Sequence, residues 1–173
     1  MKKDAVPADN SCIDFLVSIL LRFPQIFAIK YNSTAGSYVF TFMFRGNLGK
    51  ERFLALKEKM ADYFAVYSEL NQGLDIRLLF KKRKFRQRTF IDIFVDGDSL
   101  NFQDINLLAS TMAVELGENV ISDYEGFSQG LLEGEDSDPD REVEYLSRDG
   151  IQHRKKDSLI VFRESGKVYV FDK

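Results

Sequence analysis

Six of the eight residues in the run Lys81-Lys82-Arg83-Lys84-Phe85-Arg86-Gln87-Arg88 are cationic. Such a run suits a polyanion. Phosphates neutralised by Lys and Arg release condensed counterions, the planar guanidinium of Arg grips phosphate oxygens bidentately, and a ring such as Phe85 offers a base a face to stack on. Alternating apolar residues flank the run on both sides, Leu74, Ile76, Leu78 and Phe80 before it and Thr89 to Val95 after it. That pattern places the run at the tip of a hairpin, projecting into solvent. The expected polyanion-binding residues are Lys81, Lys82, Arg83, Lys84, Phe85, Arg86 and Arg88. The same cations have a second use, since charged side chains protect sheet edges from mispairing.

Other constellations carry less chemistry. The segment Ile93-Phe94-Val95-Asp96-Gly97-Asp98-Ser99-Leu100 is an apolar strand followed by Asp-x-Asp. It resembles the first motif of haloacid-dehalogenase-type phosphatases, in which the first Asp attacks phosphorus and the second handles the leaving-group proton. The residue usual between the second Asp and the Ser/Thr is missing here, and the segment sits in an apparent hairpin rather than a parallel sheet. Asp-Gly as a turn accounts for it. Asp92, Asp96 and Asp98 supply oxygen ligands for a divalent cation without the spacing of a calcium loop. With one His (His153, in a charged stretch) and one Cys (Cys12), a zinc site has too few ligands and a Ser-His-acid triad lacks a firmly held imidazole. No phosphate-binding glycine loop or dinucleotide fingerprint occurs. The expectation is a non-enzymatic binding protein with no catalytic residues, no metal and no cofactor.

The elements that must position these residues follow from periodicity. Ile13, Leu16, Val17, Leu20 and Leu21 recur at helical spacing, and Pro24 ends that helix. An extended segment, 25–32, turns at Ala35-Gly36 into the alternating Tyr38, Phe40, Phe42 and Phe44, a strand with one buried face. A second helix runs from Lys50 to Leu70, and a third follows its cap at Asn101 and closes at Gly117. The predicted fold is α+β: helix–hairpin–helix–hairpin–helix with a four-stranded antiparallel sheet, plus a C-terminal β-hairpin around Ser165-Gly166. The aromatic alternation is expected to be core rather than an open base-stacking platform.

The domain reading is a tail at 1–9, a core at 10–121, an acidic linker at 122–142 and the hairpin segment at 143–173. Seven carboxylates against one Arg between Glu133 and Glu144 cannot bury enough apolar surface to fold alone. They are opposite in sign to the basic run and in principle can mask it. A net charge of −3 confines any nucleic-acid contact to a local patch. The apolar run Ile13 to Phe23 is interrupted by Asp14 and Arg22, too short to span a bilayer and without a signal-peptide cleavage site. The chain therefore reads as a bacterial, cytoplasmic protein that does not enter a membrane.

Two resemblances bear on partners. The ending SLIVFRESGKVYVFDK resembles that of small bacterial proteins labelled ribosomal-RNA biogenesis factors, which implies association with RNA. The order of helices and hairpins and the acidic pI are similar to type III secretion chaperones, which implies a homodimer that holds an extended client and has no catalytic site. RNA, an acidic protein partner and a second copy are thus the expected partners.

Overall fold

The computed structural model describes residues 10–71, 76–96, 100–121 and 158–172. Expectations that concern the tail, the linker, Asp98 and His153 lie outside them. In chain order the elements are α1 (Asn10–Arg22), β1 (Ala28–Asn32), β2 (Ser37–Arg45), α2 (Lys50–Leu70), β3 (Arg77–Phe85), β4 (Arg88–Asp96), α3 (Phe102–Leu116), a single 3-10 turn, β5 (Val120–Ile121), β6 (Ser158–Glu164) and β7 (Lys167–Asp172).

The expected four-stranded sheet with a separate hairpin is corrected. Among the described residues all seven strands form one antiparallel sheet in the order β3-β4-β2-β1-β6-β7, with β5 on β2. β6 pairs with β1 from Ala28↔Phe162 to Asn32↔Ser158. β1 would otherwise leave a row of unpaired amides at the sheet's edge, and docking β6 there also inserts Leu159 and Val161 into the core. β2 is the hub. β4 pairs with all nine of its residues on one side, while β1 and then β5 share the other.

The strand alternation sorts side chains onto two faces. Phe40, Phe42, Ile91, Ile93 and Val161 point to the helices, where Leu16, Ile19 and Leu20 of α1, Leu56, Met60 and Phe64 of α2, and Ile105, Leu108 and Met112 of α3 meet them. Phe40 and Phe42 are fully buried, so the aromatic stripe is core. The opposite face carries a smaller cluster of Phe27, Ala28, Met43, Phe90, Ile160 and Phe162. α3 begins with a capping box. Asn101 accepts the Gln103 and Asp104 amides, and Asp104 accepts the Asn101 amide, which satisfies donors that a helix start leaves unpaired.

The basic run is not a loop. β3 continues through Phe85 and β4 begins at Arg88, so only Arg86-Gln87 forms the turn. The reason is that the alternation of Leu78 and Phe80 carries on in phase through Lys82 and Lys84, and long cationic stems lie along a sheet surface as readily as apolar ones.

Candidate polyanion-binding site

The turn between β3 and β4 is anchored to its surroundings. The Gly46 amide donates to the Gln87 carbonyl at 2.8 Å. The Thr89 hydroxyl donates to the Gly46 carbonyl at 2.8 Å and accepts the Leu48 amide at 3.1 Å. Gly46 takes φ +90 to leave β2 at this point, a conformation that residues with a Cβ rarely adopt. The loop from β2 to α2 and the β3–β4 turn are therefore one fastened unit, in contrast to the free finger expected from the sequence.

Strand alternation divides the cations. Lys81 and Arg83 lie on the face away from the helices, Lys82 and Lys84 on the helix side. Arg83 is held by its own chain: Nε lies 2.6 Å from Oδ2 of Asp92, and an Nη donates to Oδ1 at 3.1 Å. Oδ1 of Asp92 also accepts the Thr41 hydroxyl at 2.8 Å. Asp92 is buried, so this pair is a structural tie across β3, β4 and β2. The Lys82 ammonium donates to the Leu48 carbonyl at 2.9 Å and lies 5.5 Å from the Phe53 ring centre. Lys84 and Arg86 are exposed, while Lys81 and Arg88 are half-buried.

Phe85 does not stand ready for a base. Its ring is half-buried, packs 6.4 Å from Phe90, and carries the Arg86 guanidinium 5.2 Å above it. It acts as a seat for Arg86. Arg86 itself has φ 53, a left-handed conformation that costs an L-residue about 1 kcal/mol and that Gly adopts freely.

Two cations the sequence reading missed complete this end of the sheet. Arg45, the last residue of β2, is exposed and Cα-paired to Arg88, which is in turn paired to Phe85. Arg52, in the first turn of α2, places its guanidinium 5.2 Å from the Phe44 ring. The N-cap of α2 is Gly49, which supplies no side-chain cap, so the positive end of that helix faces the same region. Glu51 is the acidic residue of that first turn. Arg45 ends an alternating run and Arg52 lies on a helix. Nothing in their spacing ties them to residues 81–88; the strand register brings Arg45 there, and the Phe44 ring brings Arg52.

The carboxylate candidates do not assemble. Asp92 is engaged by Arg83 and Thr41. Asp96 is exposed at the end of β4, opposite Arg77 and Ser37. Four residues along a strand separate the two by about 13 Å, too far for one cation to touch both. Among the described residues no group of three or more His, Cys, Asp or Glu is placed to hold a metal. Cys12 is half-buried against the core.

No family model, curated protein or solved structure matches the chain. The fold defines an α+β protein with three helices and a large antiparallel sheet among its described residues, and none of those helices is long and apolar enough to cross a membrane.

Proposed function

We propose that this chain is a non-enzymatic binding protein that contacts RNA through the cationic end of its sheet. The observation that carries this reading is that the strand register sets Arg45 opposite Arg88, from two separate hairpins, on the face away from the helices, with Arg86 in the adjoining turn and Lys84 at the same end of the sheet on the other face. Cationic side chains gathered at one end of a sheet draw anions, and a row of phosphates supplies several at once. Arg86 supports the same reading, because a charged residue keeps a backbone conformation for which Gly is better suited. Backbone strain of this kind concentrates at functional positions.

The contact is made to phosphates more than to bases, since Phe85 is covered by Arg86. Binding is therefore expected to be steep in salt and tolerant of sequence. The test is an electrophoretic shift with a single-stranded RNA oligonucleotide at several salt concentrations. The comparison is with a variant carrying Arg45→Ala, Lys84→Ala and Arg86→Ala. Each lost phosphate contact on a single strand removes about 0.7 from the slope of log K against log salt, so the triple variant is expected to flatten it by about 2. Absence of a shift at low salt, or a slope unchanged in the variant, would overturn the proposal.

A further inference from the structure

We propose that the outer edge of β3, with the groove between β3 and α2, binds an extended peptide of a partner protein as an added strand, and that this peptide is apolar at one end and acidic at the other. This site adjoins the cationic end of the sheet but does not rest on the RNA reading.

Among the described residues no strand pairs with the outer side of β3, the terminal strand of the sheet. The direction of its backbone groups follows from the pairing. The Thr41 carbonyl accepts the Phe27 amide at 2.9 Å, so it is turned away from β4. Asp92, its Cα partner, must then turn its amide and carbonyl toward Lys81 on β3. In an antiparallel ladder this alternates. Leu78, Phe80, Lys82 and Lys84 therefore present their backbone donors and acceptors outward, which is what an added strand requires.

The groove beside this edge has a volume of about 360 Å³, within the range of sites that enclose a ligand. Its floor and strand wall are apolar, formed by Phe64, Ile76, Leu78 and Phe80. It stays open because α2 turns small residues toward β3, with Ala61, Ala65 and Ser68 forming the helix wall. Every second side chain of an added strand would enter this groove, and its apolar lining calls for apolar side chains there.

Charge determines the occupant. Past Phe80 the same edge becomes Lys81-Lys82-Arg83-Lys84, and Lys57 lines the groove, whose wall holds no acidic residue among the described residues. A second copy pairing through its own β3 would bring Lys81, Lys82 and Lys84 of that copy to the same edge, which is unfavourable. RNA has no alternating amides to offer the edge and no apolar side chains for the groove. An acidic and apolar extended segment satisfies all three features at once.

The test uses three fluorescein-labelled synthetic peptides with the full chain: DEDEVTVLV, its reversed sequence, and the lysine analogue KKKKVTVLV. The expected result is anisotropy-detected binding of one acidic orientation and none of the lysine analogue. Ala65→Leu fills the groove from an exposed helix position; with circular dichroism expected to match the parent, it should weaken binding at least about tenfold, or 1.4 kcal/mol. N-methylation along the peptide is expected to abolish binding at alternate residues only, a period of two that only strand addition produces. RNA binding should be unchanged in Ala65→Leu, so this test fails or succeeds apart from the RNA proposal. Three results overturn the inference: no binding of either acidic peptide at about 1 mM, binding indifferent to Ala65→Leu, or a dimer in sedimentation that Ala65→Leu dissociates.

Discussion

Arg86 joins a strained backbone to an exposed charge. Its φ of 53 is a conformation Gly adopts without penalty, and its guanidinium rests on Phe85. Replacing it separates the two properties. Arg86→Gly relieves the strain but adds freedom to the unfolded chain. Urea denaturation should therefore place the variant within about 1 kcal/mol of the parent, on either side. RNA affinity, by contrast, should fall and become less dependent on salt. A fall in affinity accompanied by a large loss of stability would point to a purely structural residue. Arg83 is the counterexample in the same run. Its charge is spent on Asp92, so it ties three strands together and adds little to the field outside. The sequence reading did not distinguish Arg83 from its neighbours, because charge alone does not reveal which side of a pleat a residue occupies.

The helices are joined by a second polar tie. The Tyr67 hydroxyl of α2 donates to Oδ1 of Asp104 in α3 at 2.7 Å, and Asp104 also closes the capping box that starts α3. That hydrogen bond, helped by desolvation and by the negative charge of Asp104, pushes the Tyr67 hydroxyl up to about 12 from its ordinary 10. The folded state keeps the proton over a range in which the unfolded chain loses it. Stability contributed by this group is thus complete below about pH 10 and declines as pH rises toward 12. Chemical denaturation at a series of pH values should show that decline in the parent and a shallower one in Tyr67→Phe. At neutral pH the same substitution is expected to cost about 1.5–3 kcal/mol, the usual worth of a hydrogen bond to a charged group. Equal pH profiles for the two proteins would contradict the role given to this bond.

At the scale of the whole molecule, the C-terminal hairpin belongs to the central sheet. Leu159 is 4% exposed and Val161 fully buried, and both pack in the cluster that contains α1, α2 and α3. Leu159→Ala is expected to cost about 2–5 kcal/mol and to lower the single cooperative transition of the entire protein. Were β6 and β7 an independent appendage, calorimetry of the variant would instead show the main transition unmoved. The two outermost strands of this sheet among the described residues also differ. β3 is rich in Lys and Arg, whereas β7 exposes Tyr169, Val170 and Phe171 at 42–44%. Cations on an edge discourage accidental pairing, which is consistent with β3 accepting only a partner of opposite charge.

Local features were legible from the residues alone. Helical spacing and caps located α2 and α3, because the repeat of 3.6 and the satisfaction of terminal amides are properties of neighbouring residues. Alternation in Tyr38–Phe44 marked a half-buried strand, and the density of cations at 81–88 marked a place where charge collects. What required the tertiary structure was everything set by pairing between distant segments. The joining of β6 to β1, the turning of Arg83 onto Asp92, the arrival of Arg45 beside Arg88 and the groove left by Ala61 and Ala65 all depend on register. A shift of one residue in a strand reverses every side chain to the opposite face. The energy that chooses the register comes from burying both segments together, so neither segment carries it by itself.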